Sequence, residues 1–387
     1  MILLVGPIPP PYVGQSISFK KLMDSLIIDK EINQEISHIN TSPKNRNIVG
    51  RFSNFRAIET IRIIWSYFLV VFRKKPITIY LTKGSTKLGF LRDLSLLIIR
   101  DIFSCDSRFI VHLKGGNYDE FFHSSNFLFK KLIIYFLNRT NNIIVLGPSL
   151  LAMYDFHKFP KEKFIIIKNA LTSDVHISDF FIKTKATTDK NKVRLLFLSN
   201  LIYSKGYIDL LKACEILINK GLTNFQLTYA GVFMESPDDP NIDINETQQK
   251  FLSVLQSSKF KENINYIGLV IGKEKDKLLR DSDIFLLPTN YHVEGQPVSI
   301  IEAMAYGCAI ITTKYRSIPD ITQEGKNTIY VEYGNPENIS QAIEELIINN
   351  NKLNSFKKNS RVFFEEELTW RVHYSKMKNL LHHNLTQ

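Results

Sequence analysis

The sequence predicts an α/β chain of two domains, each a parallel sheet with helices on both faces. Two observations carry this. Short apolar runs alternate with longer helical patterns along the whole chain. A polar stretch, 172–192, rich in lysine and threonine and without periodicity, divides that alternation in the middle. The length, 387 residues, is also long for one core and suits two domains of ordinary size.

In the first half, MILLVG reads as a strand, PIPPPYVGQS as a glycine-bearing loop and SFKKLMDSL as a helix. The N-terminus has no basic leader and meets proline early, so it reads as a first strand rather than a signal peptide. Further strands are expected at Ile77–Leu81, Phe109–Leu113 and Asn142–Leu146. In the second half they are expected at Val193–Leu198, Phe225–Ala230, Ile264–Ile267, Ile284–Leu287 and Ala309–Thr312. Helices between them include Gly206–Gly221 and Lys273–Ser282, and Phe363–His383 has a helical pattern. The expected division is a first domain over 1–175, a linker over 176–192, a second domain over 193–365 and a terminal segment over 366–387. Ligands of open α/β sheets bind at the carboxyl ends of the strands, so that is where chemistry is sought.

Residues 294–302, EGQPVSIIE, place two glutamates on either side of seven residues, directly after the run Ile284-Phe285-Leu286-Leu287-Pro288. Pro297 suits the first turn of a helix, where a missing N–H costs nothing, and Gly307 is a C-terminal stop. Glu302 is the only charged residue from Gly295 to Thr313. It falls among Val298, Ile301 and Ala305, where a carboxylate needs a hydrogen-bonding partner. It lies about 7.5 Å along the axis from the helix start. A diphosphate at that helix start, favoured by free amides and the dipole, would bring a ribose diol to Glu302. Glu294 could then reach the sugar beyond the phosphates.

The segment EGQPVSIIEAMAYG resembles the E-x7-E signature of retaining glycosyltransferases, in particular glycosyltransferase family 4 (glycosyl transferases group 1). The resemblance implies the GT-B fold: two Rossmann-like domains facing a cleft, with the C-terminal helix crossing back onto the N-terminal domain. It implies that Glu294 contacts the transferred sugar and Glu302 the ribose, with Gly295, Gln296, Pro297 and Val298 at the donor. Four further segments match. PPPYVGQS implies a donor-side or acceptor-side loop around Gly14. VHLKGGNY implies a contact with the donor sugar or the reaction centre for His112, a residue that by itself reads more safely as a core histidine. FLSNLIYSKG implies that Lys205 neutralises the donor phosphates. It departs from the family at Asn200, where an arginine is common; asparagine donates a hydrogen bond without charge. NYIGLV implies that backbone near Val270 lies by the base.

The implied reaction moves a sugar from a nucleotide-diphosphate donor to a hydroxyl of a glycan or polyprenyl-diphosphate-linked acceptor, with retention. The expected setting is bacterial surface polysaccharide synthesis, such as O-antigen, lipopolysaccharide, capsule or exopolysaccharide. Closure of the domains around the donor is expected to gate turnover. Two other classes stay open: a nucleotide-sugar epimerase of the same fold, and a non-catalytic nucleotide-sugar or lipid-binding module.

Composition fits these expectations. The formal net charge of +11 suits an anionic partner, and among such partners nucleic acid ranks last because no nucleic-acid motif is present. Cys105, Cys214 and Cys308 form neither a disulfide framework nor a zinc pattern, which suits a reducing cytoplasm. The longest apolar run, Ile63–Phe72, is too short to span a bilayer. Asp281-Ser282-Asp283 invites a metal reading, but it leads into a buried strand, so a cap or turn is expected and no catalytic metal or cofactor. Residues 51–75 mix Arg51, Arg56, Arg62, Arg73, Lys74 and Lys75 with Phe52, Phe55, Trp65, Tyr67, Phe68 and Phe72, and Phe127–Arg139 repeats the mixture. Two readings stay open there: a peripheral helix on the anionic inner face of the membrane, or a helix packed on the sheet.

Overall fold

The computed structural model describes residues 1–42, 54–173, 175, 192–236 and 243–382. The expected linker therefore lies almost wholly outside the described residues, as do Arg51, Phe52 and the side chains of Phe55 and Arg56. Two compact units emerge, Met1–Thr172 with Trp370–Gln387, and Ser173–Thr369.

The first unit runs β1 (Ile2–Gly6), α1 (Gly14–Ile28), β2 (Ile36–Asn40), α2 (Asn54–Lys74), β3 (Thr78–Lys83), α3 (Lys87–Phe103), β4 (Arg108–Leu113), α4 (Tyr118–His123), α5 (Phe127–Arg139), β5 (Asn142–Val145) and β6 (Phe164–Ile166). Its six strands are all parallel, in the order β2-β1-β3-β4-β5-β6. Strand periodicity sorts the core. Leu3, Val5, Ile79, Leu81, Phe109 and Val111 join Tyr67, Leu97 and Phe136 on one face. Ile2, Leu4, Tyr80, Ile110 and Ile144 join Phe19 and Leu22 on the other. Both faces are apolar because helices cover both, as a parallel sheet requires.

The second unit runs β7 (Val193–Leu198), α6 (Tyr207–Asn219), β8 (Phe225–Ala230), α7 (Ile244–Leu255), β9 (Ile264–Tyr266), α8 (Gly272–Asp281), β10 (Ile284–Leu287), α9 (Val298–Ala305), β11 (Ala309–Thr313), β12 (Thr328–Val331), α10 (Pro336–Ile348) and α11 (Asn350–Phe363). Its six strands are ordered β12-β11-β10-β7-β8-β9, again parallel.

The helical pattern of Phe363–His383 is interrupted. A π turn, Phe364–Leu368, closes the second unit, and α12 (Trp370–His382) returns to the first. There Trp370 Nε1 donates to Ser25 Oγ at 3.1 Å, and Tyr374 donates to Asp29 at 2.7 Å.

The expected strands and helices form, most with ends shifted by a residue or two; α1 begins at Gly14, four residues earlier than expected and inside the segment read as loop. Lys205 ends a separate short 3-10 turn, Tyr203–Lys205, ahead of α6. Strands β2, β6 and β12 were not expected. All three are sheet edges, short and only partly buried, so they lack the continuous apolar run that marks a central strand. Asp283 is not a cap. Its carboxylate accepts from Arg194 N at 3.0 Å and pairs with buried Lys357 at 2.8 Å, tying β10 to β7 and α11. Among the described residues no helix is long and apolar enough to cross a membrane.

Candidate active site

In the second unit, β10 ends at Leu287 and the chain turns through 288–297 into α9. Pro297 sits at the N-cap, one position ahead of its expected place, and Gly307 ends the helix at φ +64°. The loop is tied at several points. Thr313 donates to the Thr289 carbonyl at 2.5 Å, and Glu294 N donates to the Tyr291 carbonyl at 2.9 Å. The neighbouring loop after β7 is locked to it, because Asn290 N donates to the Ser204 carbonyl at 2.7 Å. Gly206 makes that approach possible. It has φ +75°, and a Cβ there would lie 2.2 Å from the Pro288 carbonyl oxygen.

These contacts bring Lys205 to Glu294. Lys205 Nζ lies 3.2 Å from Glu294 Oε2 and 5.1 Å from the centroid of the Tyr291 ring, and both charged side chains are largely buried. Thr289 Oγ1 donates to the same Glu294 oxygen at 3.4 Å. Inside α9, Glu302 Oε1 accepts from Lys275 of α8 at 2.6 Å, which answers its need for a partner. Gln296 is buried and donates to Ser317 Oγ at 3.1 Å. Gly295 and Pro297 are buried, and Val298 opens α9, whose first amides have no acceptor within the helix. Asn200 is exposed beside Gly231, where a Cβ would meet the Ser199 carbonyl oxygen at 1.9 Å. Val270 is half-buried in the loop after β9. The arrangement offers one buried cation, two carboxylates and a helix N-terminus at the strand ends of one sheet, which suits a diphosphate joined to polyhydroxyl groups.

In the first unit, His112 lies on β4 between Thr82 of β3 and Ile144 of β5. It is fully buried; burial holds its imidazole well below the usual histidine range and so neutral, with Lys114 and His373 adding to the effect. Tyr80 Oη lies 2.8 Å from His112 Nδ1. Burial pushes the phenol up, so Tyr80 keeps its proton. A protonated phenol donates to Nδ1, which leaves the imidazole proton on Nε2. That Nε2 is buried without a partner. Nearby Lys114 lies 3.3 Å from Asn169 Oδ1 and is brought down to about 8 by burial. Gly14 is exposed and opens α1, and its loop is pinned by Ser16, which donates to the Pro11 carbonyl at 2.5 Å.

Five contributors escaped sequence reasoning: Lys275, Thr289, Tyr291, Ser317 and Tyr80. Of these only Tyr80 leaves a trace, as a phenol at an inward position of an apolar strand, where a buried hydroxyl needs a partner.

The family described as "Glycosyl transferases group 1" matches residues 178–363, slightly under half of the chain. Anabaena HepE, solved in complex with UDP, has the same fold: TM-score 0.70, 12% sequence identity, 99% of this chain and 100% of that chain. The fold is GT-B. Among curated relatives, the putative colanic acid biosynthesis glycosyltransferase WcaL of Salmonella typhimurium is 26% identical over 155 residues, 39% of this chain and 34% of the relative. The capsular polysaccharide biosynthesis glycosyltransferase CapH of Staphylococcus aureus is 28% identical over 158 residues, 41% of each chain. The chain thus spans between a third and a half of these relatives' length. The chain is thus similar, over part of its length, to glycosyltransferases of group 1.

Proposed function

We propose that this protein is a retaining glycosyltransferase of family 4. It would transfer a sugar from a nucleoside-diphosphate donor to a hydroxyl of a glycan or polyprenyl-diphosphate-linked acceptor in bacterial surface polysaccharide synthesis. The observation that carries the reading is the buried Lys205–Glu294 pair in the loop that leads into α9, with Glu302 one turn inside that helix, at the carboxyl edge of one sheet. The names of the capsule and colanic acid relatives support the pathway class. A neighbour of the same fold solved with UDP supports the donor class.

In this reading the diphosphate draws Lys205 away from Glu294 and rests on the first amides of α9. Glu302, steadied through Oε1 by Lys275, accepts from the ribose hydroxyls through Oε2. Glu294, released from Lys205, accepts from hydroxyls of the sugar. The acceptor hydroxyl attacks the anomeric carbon on the face the diphosphate leaves. The new C–O bond forms as the old one breaks, and the acceptor proton passes to a diphosphate oxygen. No metal ion takes part, so transfer is expected to survive EDTA.

The test is transfer from UDP-, GDP- and ADP-sugars to membrane-extracted lipid-linked acceptors, with product anomers read by NMR. An α-linked product from an α-linked donor supports the reading. Altered sugar without any acceptor added would move the protein to the epimerase class. Donor binding without turnover under all conditions would make it a binding module.

A further inference from the structure

We propose that the N-terminal ends of α2, α3 and α5 form a docking surface for an anionic lipid bilayer. These helices follow parallel strands and run back along them, so their N-terminal ends share the carboxyl edge of the sheet. Tyr67, Leu97 and Phe136 place all three on one face of that sheet. Their inner sides are core. Their outer sides expose a row of large apolar groups: Ile58 and Ile61 at 65%, Trp65 at 60%, Leu91 at 43%, Phe127 at 69% and Leu128 at 70%. Ile61, Trp65 and Ile99 also line a shallow apolar depression between α2 and α3. Scattered exposed apolar residues are ordinary, but large exposed apolar groups on the N-terminal halves of three adjacent helices, two of them flanking an apolar depression, mark an interaction surface.

Charge selects the occupant. Along the three helices there are ten lysines and arginines against three acids, Glu59, Asp93 and Asp101. Arg92 holds Asp93, and Arg100 and Arg139 hold Asp101, so two of the acids are neutralised within the protein. Arg62, Lys87 and Lys131 are exposed along the apolar row. Lys131 Nζ lies 4.4 Å from the centroid of the Phe127 ring, with a cationic head beside an apolar group. Apolar side chains that insert shallowly, bordered by cations with few competing acids, suit the boundary between anionic headgroups and acyl chains. Of the two open readings of the segment, the packing is observed, since α2 lies on the sheet through Tyr67 and Val71; the membrane reading is the one proposed here for its outward side.

The test uses the full chain and cosedimentation with vesicles of phosphatidylcholine alone or with phosphatidylglycerol. Binding to the phosphatidylglycerol vesicles is expected to be at least about tenfold stronger and to weaken with salt. Phe127→Gln with Leu128→Gln, and separately Ile61→Gln, are expected to lower it by about tenfold with melting unchanged. Arg62→Glu with Lys131→Glu is expected to remove the preference for anionic vesicles. Equal partition into both vesicles, or variants that bind as the parent does, overturns the proposal. So does self-association that the same variants abolish without any vesicle binding. None of these readouts depends on the transferase reading.

Discussion

Lys205 Nζ lies 3.2 Å from Glu294 Oε2, so the cation assigned to the donor phosphates and the carboxylate assigned to the donor sugar are partners to each other before any ligand arrives. Each satisfies the other in a largely buried position, where an unpaired charge would be costly. Removing one therefore affects more than one step. Lys205→Ala is expected to weaken nucleoside-diphosphate binding by about tenfold to a hundredfold, the range for a lost charge-assisted hydrogen bond. Glu294→Gln keeps the shape and is expected to bind the nucleotide normally while kcat falls by about a hundredfold through lost positioning. Calorimetry with the nucleotide and steady-state kinetics separate the two effects; equal losses of binding in both variants would contradict these roles.

Glu302 and Lys275 form the second pair, at 2.6 Å. Glu302→Ala is expected to weaken nucleotide binding by about tenfold or more, and Lys275→Met by less, because Lys275 orients the carboxylate without touching the ribose. The same variants titrated with inorganic diphosphate, which has no ribose, are expected to match the parent chain.

The Tyr80–His112 contact predicts a tautomer. Nitrogen NMR of labelled protein is expected to show neutral His112 protonated at Nε2 throughout the pH range in which the protein is folded. In Tyr80→Phe the tautomers are expected to mix. If His112 contacts the sugar, kcat falls by about threefold to tenfold while nucleotide affinity is unchanged.

Lys83 gives a prediction about stability and pH. It is buried at the end of β3, with Nζ 3.3 Å from the centroid of the Tyr118 ring, and burial brings it down to about 7 against the attraction of Asp93. The unfolded chain binds this proton up to the ordinary lysine range, so between about 7 and that range the unfolded state holds more protons and stability rises with pH. Below about 7 the full penalty is present. Lys83→Met is therefore expected to raise the melting temperature at pH 7 by a few degrees. That gain should shrink toward pH 10. A constant gain across the range would show that Lys83 is charged in the folded protein throughout.

Much of the second unit's site was legible because its signals are local. A strand, a proline stop, Gly295 and Pro297, and a lone carboxylate in an apolar helix all fall between Ile284 and Gly307. Lys275 was not legible, since it meets Glu302 through the packing of α8 beside α9 and shares no spacing with it. The pairing of Lys205 with Glu294 likewise depends on the 204–290 backbone bond and on Gly206 approaching Pro288. The edge strands escaped for a related reason: only Ile39 of β2 is buried, so its sequence carries half a signal. The role of Asp283 was misread because its partners, Arg194 and Lys357, come from distant strands and helices.

The central claim is that the carboxyl edge of the second sheet binds a nucleoside diphosphate through Glu302. The most direct measurement is thermal shift of the purified protein with UDP, GDP, ADP and CDP, alongside Glu302→Ala. Binding to the native state stabilises it by about 2.7 kcal/mol at a hundredfold excess over Kd. One nucleotide is expected to raise the melting temperature and to lose that effect in the variant. No shift with any of the four, or a shift that Glu302→Ala leaves intact, would contradict the claim.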